Sequence, residues 1–155
     1  MRRSRKKYSE KGQALVEFAL TVVFLMIFIL GIIELLMLIY TYNVLADSAK
    51  EGVRYAIVHG TGNTTCSGPG STTSVPPVTC PDASALNVKS AVTAYAVASL
   101  HNTAAMTVTP TYPDGSCAAP NRVQVTVSYR YQPFFGLFPS GWVTVNAAAE
   151  GRITY

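Results

Sequence analysis

The sequence predicts an α+β protein. A long N-terminal transmembrane helix extends into a small external domain that adds a second helix and a three-stranded antiparallel sheet. Three observations predict this. Apolar residues run almost unbroken from Ala14 to Tyr42. The stretch 83–100 is rich in alanine and repeats its apolar residues at helical spacing. From Met106 onward the apolar period switches to two, the period of a half-buried strand. Composition agrees: 13% of the 155 residues are charged and 49% hydrophobic, against about 25% charged in an ordinary soluble domain. The chain is too short for a large two-domain enzyme and too apolar for a disordered tail.

The run Ala14–Tyr42 is 29 residues long, and besides tyrosine its ionisable groups are Glu17 and Glu34. About 20 apolar residues cross a hydrocarbon core, whereas a secretory signal core is roughly 7–15 residues long. Six of the twelve basic residues (Arg2, Arg3, Arg5, Lys6, Lys7 and Lys11) precede the run, with Glu10 as the one acid among them. The other 143 residues hold six basic and seven acidic groups and are close to neutral. The basic cluster therefore acts on topology. By the positive-inside rule it holds the N-terminus in the cytoplasm and sends the C-terminal domain to the periplasm or the outside. No basic patch with interleaved aromatics follows, so no nucleic-acid partner is expected. Tyr40 and Tyr42 fall where an outer aromatic belt would lie. Glu17 and Glu34 stand 17 residues apart, about 25 Å along a helix and on different faces. They are candidates for separate contacts, or simply reach opposite interfaces.

The string Lys11-Gly12-Gln13-Ala14-Leu15-Val16-Glu17-Phe18 resembles a prepilin-peptidase site. Pilins and pseudopilins carry a short basic leader ending in Gly, a cut after it, and Glu at the fifth mature position. The stretch GQALVEFAL…LGIIELL, with ADSAKEGVRYAIVHG after it, resembles the TadE-like family of Flp (Tad) pilus-assembly proteins. This resemblance implies cleavage after Gly12, with Gln13 as the new N-terminus and Glu17 as the fifth residue, followed by the aromatic Phe18. It implies that Glu17 pairs with the free α-amino group of a neighbouring subunit, so that a charge costly alone in an apolar setting becomes tolerable. Glu34 matches an acid often seen after Gly-Ile-Ile in such sequences and is expected to serve a helix or subunit contact. The implied partners are prepilin peptidase, other pilus subunits and assembly proteins, and the lipid bilayer. The implied location is the inner (cytoplasmic) membrane, with possible association with a pilus. Flp major pilins are little more than the helix, so an external domain of this size points to a minor, pseudopilin-like component acting in filament assembly. The alternative is an unprocessed bitopic scaffold whose external domain binds assembly or envelope partners. The chain divides into a leader, 1–12, a transmembrane helix, 13–42, and an external domain, 43–155.

The helix is expected to run past the membrane through Asn43–His59, which contains no Pro. Its apolar stripe is Leu45, Ala49, Val53, Ala56 and Ile57, and Gly60 fits a stop. Lys50 and Arg54 form a like-charge i,i+4 pair, so this segment must gain its stability from packing. Residues 60–82 are rich in Gly, Thr, Ser and Pro and read as a loop. A loop this long is functional or tied down. A Cys66–Cys80 bridge would tie it, closing 15 residues for roughly 3 kcal/mol. Bridges to Cys117 are the other pairings three cysteines allow. With no CxxC and no histidine at ligand spacing, neither metal nor other cofactor is expected.

A second helix is expected over 83–100, capped by Asp82 or Ser84, with Val88, Ala91, Val92, Tyr95, Ala96 and Leu100 on one stripe. Met106 and Val108 alternate with threonines. Val123, Val125, Val127, Tyr129 and Tyr131 alternate with polar residues, and Val143, Val145 and Ala147 continue the pattern in a third strand. Pro110–Pro120 and Gln132–Gly141 connect the strands. The second connection carries Phe134, Phe135, Leu137 and Phe138, with Trp142 close behind. These large side chains either tuck under the sheet, lie on the membrane surface, or form a contact patch for another subunit. His59 and His101 belong to no nucleophile or phosphate motif, and the external acids are scattered. No catalytic residues are expected, and the chain does not read as an enzyme.

Overall fold

A computed structural model of the chain describes residues 8–72, 76–100, 102–136, 139 and 141–154. The first seven leader residues, His101, Leu137 and Phe138 lie outside the described residues. Helix α1 (Tyr8–Val58) is continuous over 51 residues, about 76 Å at 1.5 Å per residue. Its apolar part is exposed at every position from Ala14 to Ile29. From Glu34 onward one face is covered by the rest of the chain. Leu45, Ala49, Val53 and Ala56 of the expected stripe are buried and Ile57 is half-buried. Thr41 and Ser48 are buried too. Each satisfies its hydroxyl on its own helix, donating to Met37 O at 2.9 Å and Leu45 O at 2.9 Å, which is how short polar side chains enter an apolar seam. Ion pairs do form on the exposed side, at i,i+3 spacing rather than i,i+4: Lys50–Asp47 at 2.9 Å and Arg54–Glu51 at 3.4 Å. Both are exposed, so each contributes little. The helix stops two residues before Gly60. Thr154 donates to Ile57 O from its amide at 2.9 Å and its hydroxyl at 3.0 Å, and the Asn63 amide donates to Val58 O at 3.0 Å.

The sheet is antiparallel in the order β1 (Met106–Thr111), β2 (Arg122–Arg130), β3 (Thr144–Arg152). Its central strand follows the alternation read from the sequence: Val123, Val125, Val127 and Tyr129 are buried, and their neighbours face outward. Pro110 lies inside β1 and not in the following connection. An edge strand tolerates it because one side of its backbone needs no ladder donor. The inward residues of β3 beyond Val145 are small: Ala147, Ala149 and Gly151, paired with Val127, Val125 and Val123. A Cβ at Gly151 would come within 2.6 Å of Val53 and 3.2 Å of Ile57, so α1 rests almost directly on the β3 backbone.

Helix α2 (Leu86–Val97) is shorter than 83–100. Ala85 turns through a left-handed conformation (φ 53°). The Asp82 carboxylate reaches past it to accept from the amides of Leu86 at 2.8 Å and Asn87 at 2.7 Å. Burial opposes ionisation of Asp82, but hydrogen bonds from Ser67 and from these amides outweigh it and hold the carboxyl below the usual carboxylate range. Val88, Val92, Ala96 and Leu100 are buried as expected, whereas Tyr95 is largely exposed, so the packed stripe is narrower than the apolar one. Gly52 marks the place where α1, α2 and β2 converge. A Cβ there would overlap Val92 and lie 3.2 Å from Val125.

The segment after α1 is held by its own cross-links. Cys66 and Cys80 are joined in a disulfide with Cα atoms 5.2 Å apart. Ser67 pairs with Asp82 and Ser71 with Val78 in isolated bridges. The Tyr112 hydroxyl donates to Ser67 O at 2.8 Å.

Candidate functional site

Two places on α1 concern function. The first is the motif Gly12, Gln13, Glu17 and Phe18. All four residues are exposed on the helix, and a Cβ at Gly12 would meet nothing within 4 Å. The motif lies on open helix surface, away from α2 and the sheet.

The second is Glu34. The two acids of the apolar run part company here: Glu17 is exposed, whereas Glu34 is 4% exposed. The cause is the connection after β2. Tyr131 continues the inward face of that strand and donates its hydroxyl to Glu34 Oε1 at 2.6 Å. The backbone amides of the next turn close on the same carboxylate, Phe134 N to Oε1 at 3.1 Å and Phe135 N to Oε2 at 3.3 Å. Glu34, expected to make a helix or subunit contact, is therefore taken up within its own chain. Both oxygens are engaged by a segment about 100 positions away in sequence. Burial, and then the hydrogen bond to Glu34, push the Tyr131 phenol well above its ordinary value.

This clasp fixes the apolar connection against the helix. Phe134 and Trp142 remain about 70% exposed and Phe135 40% exposed, so these three do not tuck under the sheet. The two phenylalanines meet edge to face, with centroids 5.1 Å apart. Between the connection and the helix lies an apolar cavity of about 200 Å³, walled by Gly31, Leu35, Leu38, Pro133, Pro139 and Trp142 among others. Sequence reasoning missed Tyr131 as the partner of Glu34. Its place on the inward face of β2, beside the apolar connection, was the available signal.

The cysteines gather at the far side of the domain. Cys117 is buried, with Sγ 3.3 Å from Cys80 Sγ, and burial pushes its thiol up. All three sulfur atoms therefore meet in one cluster.

A long, exposed apolar helix carrying a small α+β head along its C-terminal half is the build of a single-pass membrane-anchored protein. The family model described as TadE-like protein matches residues 12–54. Over that span the chain is similar to the TadE-like family, the one that the motif from Gly12 resembles. The match covers the apolar run and most of the helical face that carries the head, and it ends before the loop, α2 and the sheet. No curated protein and no solved structure matches the chain.

Proposed function

We propose that the chain is a minor pilin- or pseudopilin-like component of a Flp (Tad) type pilus or a related secretion apparatus, held by its single helix in the inner membrane and acting in filament assembly. One observation carries this reading: the TadE-like match begins at Gly12, the last residue of the leader that the motif implies, and from there α1 runs without a break into the head. Cleavage after Gly12 by prepilin peptidase removes the basic leader and frees the Gln13 amine. Glu17, exposed one helical turn along, is then available to the amine of a neighbouring subunit in the bilayer, and pairing offsets the cost of each charge there. The head lies on the periplasmic or outer side and meets other pilus subunits and assembly proteins.

Intact mass and N-terminal sequencing of the membrane-bound protein test this. A species beginning at Gln13 is expected, and Gly12→Ala should leave the full chain uncut. A retained leader in cells with an active prepilin peptidase overturns the reading. It would favour an unprocessed bitopic scaffold whose head binds envelope partners. One observation favours that second reading: the Gly12–Gln13 bond lies inside α1, which starts at Tyr8, so a peptidase must first unwind the helix end.

A further inference from the structure

The head is oriented relative to the anchor by three contacts. The β2 end at Val123 and Val125 lies by Gly52 and Gly151, and Gly151 faces Val53 and Ile57. The other end of β2, at Tyr131, lies by Glu34. Strand β2 therefore runs antiparallel to α1, and the connection after it points back down the helix toward the apolar run. Glu34 follows Gln13 by 21 positions, about 32 Å of helix against a hydrocarbon core of about 30 Å. The apolar run continues past Glu34 to Tyr42, so the clasp holds the connection beside the outer end of the membrane segment.

The composition of the connection suits that level. Residues 131–143 contain no charged side chain, and Arg130 is the one charged residue between Val123 and Ala149. Phe134 and Trp142 are among the most exposed large side chains of the head. Aromatic rings favour the headgroup region, where an apolar face and a polar edge are both satisfied. The apolar cavity beneath Trp142 opens beside Gly31 and Leu35, residues of the membrane segment and its outer end. Arg130, the last residue of β2, is exposed where the connection begins, and a cation beside such a surface suits lipid phosphates.

We infer that the described parts of this connection, 131–136 and 141–143, form a second membrane contact. It lays Phe134, Phe135 and Trp142 into the outer-leaflet interface beside α1, and its occupant is phospholipid. The head then rests on the bilayer surface at one fixed face.

Trp142 is the chain's one tryptophan, so its fluorescence reports this contact directly. The full chain is reconstituted at one copy per nanodisc in phosphatidylethanolamine–phosphatidylglycerol bilayers. Some discs carry lipids brominated near the glycerol end of the acyl chain, others lipids brominated near the methyl end. The expected result is that glycerol-end bromines lower the emission by about half, methyl-end bromines quench less, and aqueous iodide quenches weakly, as for an interfacial ring. Strong iodide quenching with no effect of either bromolipid overturns the inference, because the loop then stands in water. Protection from iodide and from both bromolipids also overturns it, because protein and not lipid then covers the ring.

Discussion

Replacing Tyr131 by phenylalanine removes one oxygen from the chain and leaves its packing volume almost unchanged. That oxygen donates to Glu34 Oε1 at 2.6 Å in a buried setting, so the bond is charge-assisted and its net worth is roughly 1.5–3 kcal/mol. Glu34 keeps its two backbone donors in the variant, so the loss is limited to that bond and the longer one from the same hydroxyl to Glu34 O at 3.4 Å. Glu34→Ala removes all three side-chain bonds and leaves two amides without their acceptor, while the Tyr131 hydroxyl keeps only the Glu34 backbone carbonyl, 3.4 Å away. It should cost more than Tyr131→Phe alone. The informative quantity is the coupling between the two positions, expected at roughly 1.5–3 kcal/mol in a double-mutant cycle. Urea unfolding of the head on the full chain in nanodiscs, followed by near-ultraviolet circular dichroism, measures it. Tyr129 supplies an internal control two residues earlier on the same face. Its buried hydroxyl meets no hydrogen-bonding partner among the described residues. Tyr129→Phe should therefore leave stability unchanged or raise it by about 1 kcal/mol. A coupling below about 0.5 kcal/mol, the range of independent sites, would refute the reasoning. So would a Tyr129→Phe loss as large as that of Tyr131→Phe.

Gly52→Ala forces a methyl into the space held by Val92 and Val125. Overpacking of about 1–3 kcal/mol should exceed the helix-propensity gain of up to about 1 kcal/mol. The loss should shrink by more than half in a Val92→Ala background, as read by denaturant midpoints. Acid should weaken the turn after β1. The Arg122 side chain, and then its amide, hold the Asp114 carboxyl down to about 2. A depressed carboxyl stabilises the fold above its unfolded value of about 3.9, and that contribution fades as pH falls through the window toward the folded value. Asp114→Asn should flatten the pH dependence of the urea midpoint between about pH 4 and pH 2, and an unchanged slope would count against it.

What the sequence revealed followed the range of the interactions. The apolar run, the alternation of β2 and the buried face of α1 from Leu45 to Ala56 are local periodicities, each readable from a window of about a dozen residues. The limits of α2 were less legible, because an alanine-rich stretch continues the helical pattern through Ala83 and Ala85. The long reach of Asp82 to Leu86 and Asn87 starts the helix later. Tyr95 fell on the apolar stripe by spacing, yet the packed face is only wide enough for Val88, Val92, Ala96 and Leu100. Glu17 and Glu34 looked alike as acids in an apolar helix. The difference between them is a tyrosine and two amides about 100 residues further on, and no local pattern encodes that pairing. In the cysteine cluster, sequence spacing left three pairings open, and only the tertiary structure brings Cys117 against Cys80.

The head is clamped to α1 at both ends of their contact. At one end the Glu34 carboxylate holds Tyr131, Phe134 and Phe135. At the other, Thr154 closes on Ile57, and Gly151 lets β3 lie against Val53 and Ile57. Glu34 and Ile57 are 23 positions apart, about 35 Å of helix. Between them the seam is filled by Leu45, Ala49 and Ala56, all fully buried. A head fixed at two points that far apart cannot swing about the helix without breaking one of them, and close-packed interiors transmit strain rather than absorb it. Displacement of the anchor along the membrane normal is therefore passed to the head as rigid-body motion. The same displacement would draw the aromatic connection out of the interface. The stiffness of the seam and the lipid contact of Phe134 and Trp142 oppose each other whenever the helix is pulled from the bilayer.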